Sequence, residues 1–430
     1  MKLYSTNRKS PPINFKEAVL MGQAPDGGLY IPETLPIFAD EFIQEFSKYS
    51  LKDIAKIVTY ELLKDELTAE EVSNIVNQAI YFDAPLHKLS DNLQVLELFC
   101  GPTLAFKDFG ANFMARLISH YAKDQNQETT ILVATSGDTG SAVAGAFFEV
   151  ESVNVKILYP SKKVSPLQEL QLTTWGKNIT AYEVDGTFDD CQKIVKQAFS
   201  DEQIKKKLNL SSANSINIAR LIPQSFYYFY SFSRLSSKTA NYSVPSGNFG
   251  NLTAGLIAKK MGLPINKFIA STNANNIVPE YFTSGNFVPK ASVATISNAM
   301  DVGNPSNLVR MQNLYLSLDE LKKDVWAISS SDEETKNEIT EIYKKFNYLI
   351  CPHTAVGLCG IKKYLDQNKS ELEIPNIVLG TAHPAKFKEV VEETLGFEIL
   401  LPDALEKVKK KKKESILIKN TYQSFLDALL

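Results

Sequence analysis

The chain has 430 residues, which at roughly 150 residues per domain leaves room for two or three domains. Hydrophobic residues make up 44% and charged residues 22%, the balance of an ordinary soluble globular protein. Forty-six basic against 49 acidic residues leave a net charge of −3, which gives no electrostatic reason to expect a nucleic-acid or membrane partner. The basic set is lopsided, with five arginines against 41 lysines, so an arginine inside a special segment stands out.

Four scattered cysteines (Cys100, Cys191, Cys351, Cys359) offer no CxxC pair and no disulfide framework. Four histidines include no HxH or HxxxH pair, so a histidine-rich metal site is not expected. No stretch reaches 18 uninterrupted apolar residues, and the reading is of a soluble, cytoplasmic protein. If the chain is an enzyme, so few histidines and thiols lead one to expect its difficult chemistry from a cofactor.

Residues 1–85 read as a mostly helical unit. Pro25-Asp26-Gly27-Gly28 is a turn. Leu51, Ile54, Ala55, Val58 and Leu62 share a helical face, and Thr68 with Glu71 forms a capping box opening a helix that Asp83-Ala84-Pro85 ends. From Leu93 onward, short apolar runs alternate with amphipathic stretches. Gln94–Phe99, Thr130–Ala134, Val153–Tyr159, Ile179–Val184, Tyr242–Val244, Lys267–Ser271 and Ile377–Leu379 read as buried strands separated by helices, which favours a largely parallel α/β fold. The Lys409–Lys413 run reads as a solvated helix face or terminal segment.

Three loops and one lysine carry the chemical signal. Gly101-Pro-Thr-Leu-Ala-Phe-Lys-Asp-Phe-Gly110 leads into a helix with apolar face Gly110, Phe113, Met114, Leu117, Ile118 and Tyr121. Helical spacing puts Lys107 at the buried edge of that face, flanked by Phe106 and Phe109. Desolvation lowers a lysine pKa and makes a nucleophilic amine suited to a Schiff base; the alternative is a snorkelling lysine with its head in water. Ser136-Gly137-Asp138-Thr139-Gly140 follows a strand and opens a helix, a place where free N–H groups and the helix dipole favour an anion; ordinary helix capping explains the same residues. Pro245-Ser-Gly-Asn-Phe-Gly-Asn251 repeats the pattern, with Gly247 and Gly250 permitting close backbone approach to one phosphate group. It matches neither GxGxxG nor GxxxxGK[ST], so nicotinamide and nucleoside-triphosphate readings lose their usual support. Ser215, Asn217, Arg220 and Gln224 lie beside a further helix start, where Arg220 is either a phosphate ligand or a structural donor. Thr381 sits at a strand's carboxyl end, where open α/β sheets bind ligands, and His383 reads as part of a turn.

The segments FKDFG, SGDTG, PSGNFGN and TAHPAKF, in this order, resemble the threonine synthases among the pyridoxal-phosphate enzymes of fold type II. PDGGLYIP, DGTFDDCQ and NSINIAR extend the resemblance over nearly the whole chain. It implies two mostly parallel α/β domains plus a helical N-terminal region: residues 1–85 N-terminal, 86–110 and 220–430 the large cofactor-binding domain, 111–219 the small substrate-loop domain. It also implies pyridoxal 5′-phosphate on Lys107, its phosphate held by Gly247, Asn248, Phe249, Gly250 and Asn251, and its ring nitrogen facing Thr381. Asp138 stands where related enzymes carry an asparagine against the cofactor's phenolic oxygen. Ser136, Gly137, Thr139 and Gly140 would grip the substrate carboxylate, and Ser215, Asn217 and Arg220, helped by Lys162 or Lys163, the substrate phosphate. Cys351 departs from the family's usual aspartate. The implied reaction turns O-phospho-L-homoserine and water into L-threonine and phosphate. A fold type II lyase releasing a 2-keto acid, or a non-catalytic binder of a phosphorylated metabolite, would share parts of this constellation.

Overall fold

The computed structural model describes residues 1–122 and 128–429. Two parallel sheets dominate it. The larger runs in the order Val325–Ser329, Ile265–Thr272, Ala240–Pro245, Asn376–Gly380, Leu93–Glu97, Leu86–Ser90, parallel except for the last antiparallel pair. The smaller runs Ile416–Lys419, Ile179–Asp185, Val153–Pro160, Thr129–Ala134, Leu210–Ser212, parallel throughout. Central strands such as Ala240–Pro245 and Asn376–Gly380 are buried at every residue. That explains their unbroken apolar texture, since helices cover both faces of a parallel sheet.

All seven strands expected from the sequence are present; six are longer by one to three residues, and the expected Gln94–Phe99 runs instead from Leu93 to Glu97. The N-terminal region differs from a purely helical unit. Lys2–Ser5 pairs antiparallel with Ile13–Asn14 and with Tyr30–Pro32, strands too short for an alternating pattern to register. The Pro25–Gly28 turn is held by Asp26, whose carboxylate accepts hydrogen bonds from Ser5 Oγ (2.6 Å) and from the backbone N–H groups of Lys9, Ser10 and Gly28 (2.9 Å each). Helix Leu51–Leu63 buries the predicted face, and Thr68 and Glu71 form the capping box of helix Ala69–Ala79.

Two proposed boundaries move. Helix Lys107–Ala122 is continuous, so a division at residue 110 cuts through it. It packs against the N-terminal helix Ala69–Ala79, helix Asp138–Phe147 and the short helix Ile218–Leu221, which makes it a shared spine. The assignment of all of 220–430 to the larger unit also fails at the C-terminus, where Ile416–Lys419 joins the smaller sheet. Only Ile418 of that strand is buried, so edge pairing rather than apolar pattern holds it in place. The lysine run ends helix Asp403–Lys409 and then leaves it. Lys410–Lys412 are exposed, but Lys413 turns inward to Glu169 (2.7 Å) and Glu183 (2.6 Å). Cys351 caps helix Pro352–Gln367, its Sγ accepting from the Thr354 N–H at 3.5 Å, so the thiol fills the capping place of a carboxylate.

The terminal helix Tyr422–Leu429 anchors this arrangement through Phe425, fully buried and edge-on to Tyr182 at 5.3 Å. Phe425→Ala is expected to cost about 3–5 kcal/mol by transfer and cavity terms. Urea unfolding followed by circular dichroism checks this; an unchanged midpoint would show that the C-terminal segment adds nothing to the smaller sheet.

Candidate active site

Loops at the carboxyl ends of parallel strands converge where open α/β sheets place ligands. Strand Leu93–Glu97 leads to the Lys107 loop, Ala240–Pro245 to Ser246–Asn251, Asn376–Gly380 to Thr381, and Thr129–Ala134 of the smaller sheet to Ser136–Gly140. The Lys107 loop is tied directly to the Thr381 segment. The Phe106 N–H donates to the Thr381 carbonyl (2.9 Å), His383 N–H to the Leu104 carbonyl (3.0 Å), and Ala105 bridges Ala382.

Lys107 is the first residue of its helix and half-buried. Its Nζ lies 5.7 Å from the Phe106 ring centroid and makes no hydrogen bond or ion pair to the described residues. Desolvation lowers its pKa to about 8; Asp138 opposes that shift, while the cations Lys386 and Arg220 reinforce it. A snorkelling lysine has no such depression. Next to it, buried Asp108 accepts from Thr103 N–H (2.9 Å) and Thr103 Oγ (2.5 Å), fixing the turn that presents Lys107. Burial pushes the Asp108 carboxyl up to about 6, against the pull of those hydrogen bonds.

The Ser246–Asn251 loop has the form of an anion cradle. None of the backbone N–H groups from Gly247 to Asn251 finds an acceptor among the described residues. Phe249 takes a left-handed φ of 58° to swing the chain into helix Gly250–Lys260. Asn251 shapes the turn from within, accepting from Ser246 Oγ (2.5 Å) and donating to the Pro245 carbonyl (2.9 Å). A Cβ on Gly247 would lie 2.7 Å from Met300 Cα, so the loop cannot carry a side chain there. Asn248 donates to Ser215 Oγ (2.7 Å), which brings the NSINIAR segment alongside. Asn307 reaches the same oxygen (3.3 Å) and the Asn248 carbonyl (3.1 Å).

The Ser136–Gly140 loop is built by Thr135, whose Oγ accepts from the N–H groups of Gly137 (3.0 Å) and Gly140 (2.9 Å). The hydroxyls of Ser136 and Thr139 and the N–H groups of Ser136, Asp138 and Thr139 have no acceptor among the described residues. Asp138 is buried, 2.7 Å from Lys386 Nζ, and accepts from Gln168 Nε2 (2.9 Å). Burial pushes its carboxyl up, but Lys386 and then Lys107 outweigh that and hold it well below the usual range.

Arg220 is buried, donates to the Ala213 carbonyl and leaves Nε unpartnered. Burial lowers its pKa to about 10, with Asp108 opposing, so the guanidinium remains a cation with donors to spare. Asn217 departs from the expected substrate contact. It is fully buried, its amide donating to the Val19 (2.9 Å) and Ser212 (3.1 Å) carbonyls while its oxygen accepts from Ala219 N–H (3.0 Å). It therefore caps helix Ile218–Leu221 and has no N–H left to donate to a phosphate. Lys162 and Lys163 are both exposed. His383 is structural, its Nδ1 accepting from the Ala385 N–H (3.1 Å).

Sequence reasoning passed over three groups. Arg310 is fully buried and donates to the carbonyls of Tyr30 (3.0 Å), Ser215 (3.1 Å) and Ile216 (2.6 Å), so it fixes the Ser215 segment. Its rarity among 41 lysines was the available signal. His353, buried against the Phe387 ring (4.6 Å), accepts from Ala299 N–H and leaves Nδ1 unpartnered. Lys386 pairs with Asp138 and donates to the Thr103 carbonyl (2.8 Å).

The residues fit pyridoxal phosphate: a lone amine with lowered pKa, a backbone phosphate cradle free of side chains, and a strand-end hydroxyl, that of Thr381, with no acceptor or donor among the described residues. Gly247→Ala is expected to weaken binding of pyridoxal phosphate about tenfold to a hundredfold, because relieving such a clash costs on the order of 1–3 kcal/mol. Absorbance titration of the cofactor measures this; equal affinity would remove the cradle from the phosphate.

The family models agree with this geometry. "Pyridoxal-phosphate dependent enzyme" matches residues 81–379, "Threonine synthase N terminus" residues 2–80 and "Threonine synthase, C-terminal" residues 354–427. A threonine synthase of Buchnera aphidicola subsp. Baizongia pistaciae is 44% identical over 415 residues, covering 94% of each chain. The crystal structure of threonine synthase from Escherichia coli superposes with a TM-score of 0.93 at 41% identity, over 100% of this chain and 99% of that one. The structure of pyridoxal-phosphate-bound threonine synthase from Brucella melitensis gives 0.92 at 34%, over 100% and 98%. The chain therefore belongs to the threonine synthase family of pyridoxal-phosphate-dependent fold type II enzymes.

Proposed function

We propose that the protein converts O-phospho-L-homoserine and water to L-threonine and inorganic phosphate. The observation that carries this reading is the unpartnered Lys107 amine standing among separate anion sites contributed by different loops. A substrate with an anion at each end needs two such sites beside the reacting carbons, and the cofactor's phosphate needs a third.

When bound, pyridoxal phosphate supplies an electron sink for charge developing at the substrate's α-carbon. The side chains then have defined tasks. Ser136, Thr139 and the free N–H groups of their loop receive the α-carboxylate, aided by the N-terminal end of helix Asp138–Phe147. Arg220, packed against Gly110 of helix Lys107–Ala122, and Ser215, beside Asn248, take the substrate phosphate, with Arg220 offering a planar pair of donors. The N–H groups of 247–251 hold the cofactor phosphate, and Thr381 offers a neutral hydroxyl to the ring nitrogen.

Lys107 moves the protons. With a pKa near 8 about a tenth of the amine is unprotonated at pH 7, against well under a hundredth for an ordinary lysine, as a base acting there requires. It removes the α-proton and then a β-proton; phosphate departs from the γ-carbon, which takes up a proton, and the hydroxyl of a water adds at the β-carbon as a proton returns to the α-carbon. One water is consumed and one phosphate released per threonine. Holding both ends of the substrate keeps the α- and β-carbons within reach of a single amine throughout.

Incubation with O-phospho-L-homoserine is expected to release phosphate and L-threonine in equal amounts. Accumulation of 2-oxobutyrate would instead make the protein a lyase of the same fold, and absence of turnover a binder. Lys107→Ala is expected to lower turnover by at least about 10²–10⁴-fold, the typical weight of a general base.

A further inference from the structure

Lys386 lies outside every role assigned above, yet it is among the most completely buried charges in the molecule. Its side chain is 0% exposed and that of its partner Asp138 is 4% exposed. Burying an ion pair strips both ions of water before the partners' attraction is counted, so a pair that repays that loss needs geometry that holds both charges well. Here it does. The ammonium stands 2.7 Å from Asp138 Oδ1 and donates to the Thr103 carbonyl at 2.8 Å. The same carbonyl accepts from Gln171 Nε2 (3.4 Å), and Gln168 on the same helix, Pro166–Thr173, donates to Asp138 (2.9 Å).

These contacts join three segments that border Lys107. Asp138 opens the helix of the carboxylate loop on the smaller sheet. Thr103 holds Asp108 through its N–H and hydroxyl, and so orients the turn that presents Lys107. Lys386 itself belongs to the turn Pro384–Phe387 that follows Thr381, capped by His383. A single ammonium thus reaches the substrate loop, the lysine loop and the strand end of the larger sheet.

We infer that Lys386 is a positioning residue for the reaction: its ammonium fixes the Asp138 carboxylate against the Thr103–Lys107 turn and supplies the cation that balances that carboxylate beside the cofactor. An asparagine at position 138 would need no such cation. The aspartate found here does, and Lys386 is the side chain within ion-pair distance of it. This inference rests on Lys107 being the cofactor's attachment point.

The charges that act on Lys107 are Asp138, which favours its protonated form, and Lys386 and Arg220, which oppose it. His353, on the adjoining helix, interacts with Lys107, Lys386 and Asp138 but is held neutral, burial lowering its pKa to about 4. Asp108 acts on Arg220 and Lys386. The sign follows. Removing Lys386 deletes a repelling cation and leaves Asp138 to pair with Lys107, so the amine becomes harder to deprotonate. Removing the Asp138 charge has the opposite effect.

The test uses the full-length chain freed of cofactor, with pyridoxal 5′-phosphate as probe. The initial rate of label trapped by borohydride on the Lys107 peptide is followed by mass spectrometry from pH 6 to 10. For Lys386→Met the midpoint is expected to rise by about one unit, which is about a tenfold lower rate at pH 7. For Asp138→Asn it is expected to fall, and for the double variant to return towards that of the parent chain. A purely structural role would change the amount of folded protein, read by circular dichroism, without moving the midpoint. If Lys386→Met does not fold, Asp138→Asn still decides, because an unmoved midpoint in that isosteric variant overturns the inference. So does a folded Lys386→Met with a midpoint at or below the parent's. Label on a lysine other than 107 would instead overturn the site itself, whatever the midpoints.

Discussion

The site depends on keeping one amine reactive in a place that contains two other cations. Water would favour the charged form of Lys107, and its removal is the largest cause that brings the pKa down to about 8, with Lys386 and Arg220 adding to it. Desolvation in turn requires walls, and each wall is a separate piece of the fold. The helix that begins at Lys107 is buried along nearly its whole length, the Thr103–Asp108 turn locks its entry, and the Thr381 segment closes one side through backbone hydrogen bonds. Arg220 closes another, packed so tightly on the spine that a Cβ at Gly110 would meet its backbone carbonyl at 2.7 Å. Loosening any of these admits water and returns the lysine to its ordinary basicity.

Desolvation also raises the cost of every other charge in the neighbourhood, which explains how the polar groups are disposed. Asp138 and Lys386 cancel each other, and Asp108 is bonded to Thr103 on both oxygens. His353 is neutral, and Arg310 donates to three backbone carbonyls, so its buried guanidinium serves as a clamp. Against this background a set of unpartnered groups borders the site: the Lys107 amine, the N–H groups of 247–251, the Ser136 and Thr139 hydroxyls and Arg220 Nε, with His353 Nδ1 behind them. They are the groups left for the cofactor and for the two ends of the substrate.

Much of this was readable before any coordinates, for physical reasons. Central parallel strands are apolar throughout, so Thr130–Ala134 and Ile377–Leu379 announced themselves by texture. The ligand loops follow those strands directly, so SGDTG and PSGNFGN could be placed at their ends. Edge strands lack that texture. Ile416–Lys419 buries a single residue beneath a lysine run and gave no signal, and the strands of the N-terminal sheet span only two to four residues. Side-chain roles that depend on tertiary contact were equally hidden. Asn217 looks like a ligand and is a helix cap; Lys386 looks like one more lysine and is the partner of Asp138. Spacing identifies a helix face, but which buried charge meets which is set by how the two sheets are brought together.

The assignment of Lys107 stands beneath all of this and can be examined alone. Borohydride reduction of the cofactor-loaded protein, followed by proteolysis and mass spectrometry, locates the amine that bound pyridoxal phosphate. A pyridoxyl group on the Lys107 peptide and on no other is the predicted result. A pyridoxyl group on Lys386, or on any other lysine, would contradict it.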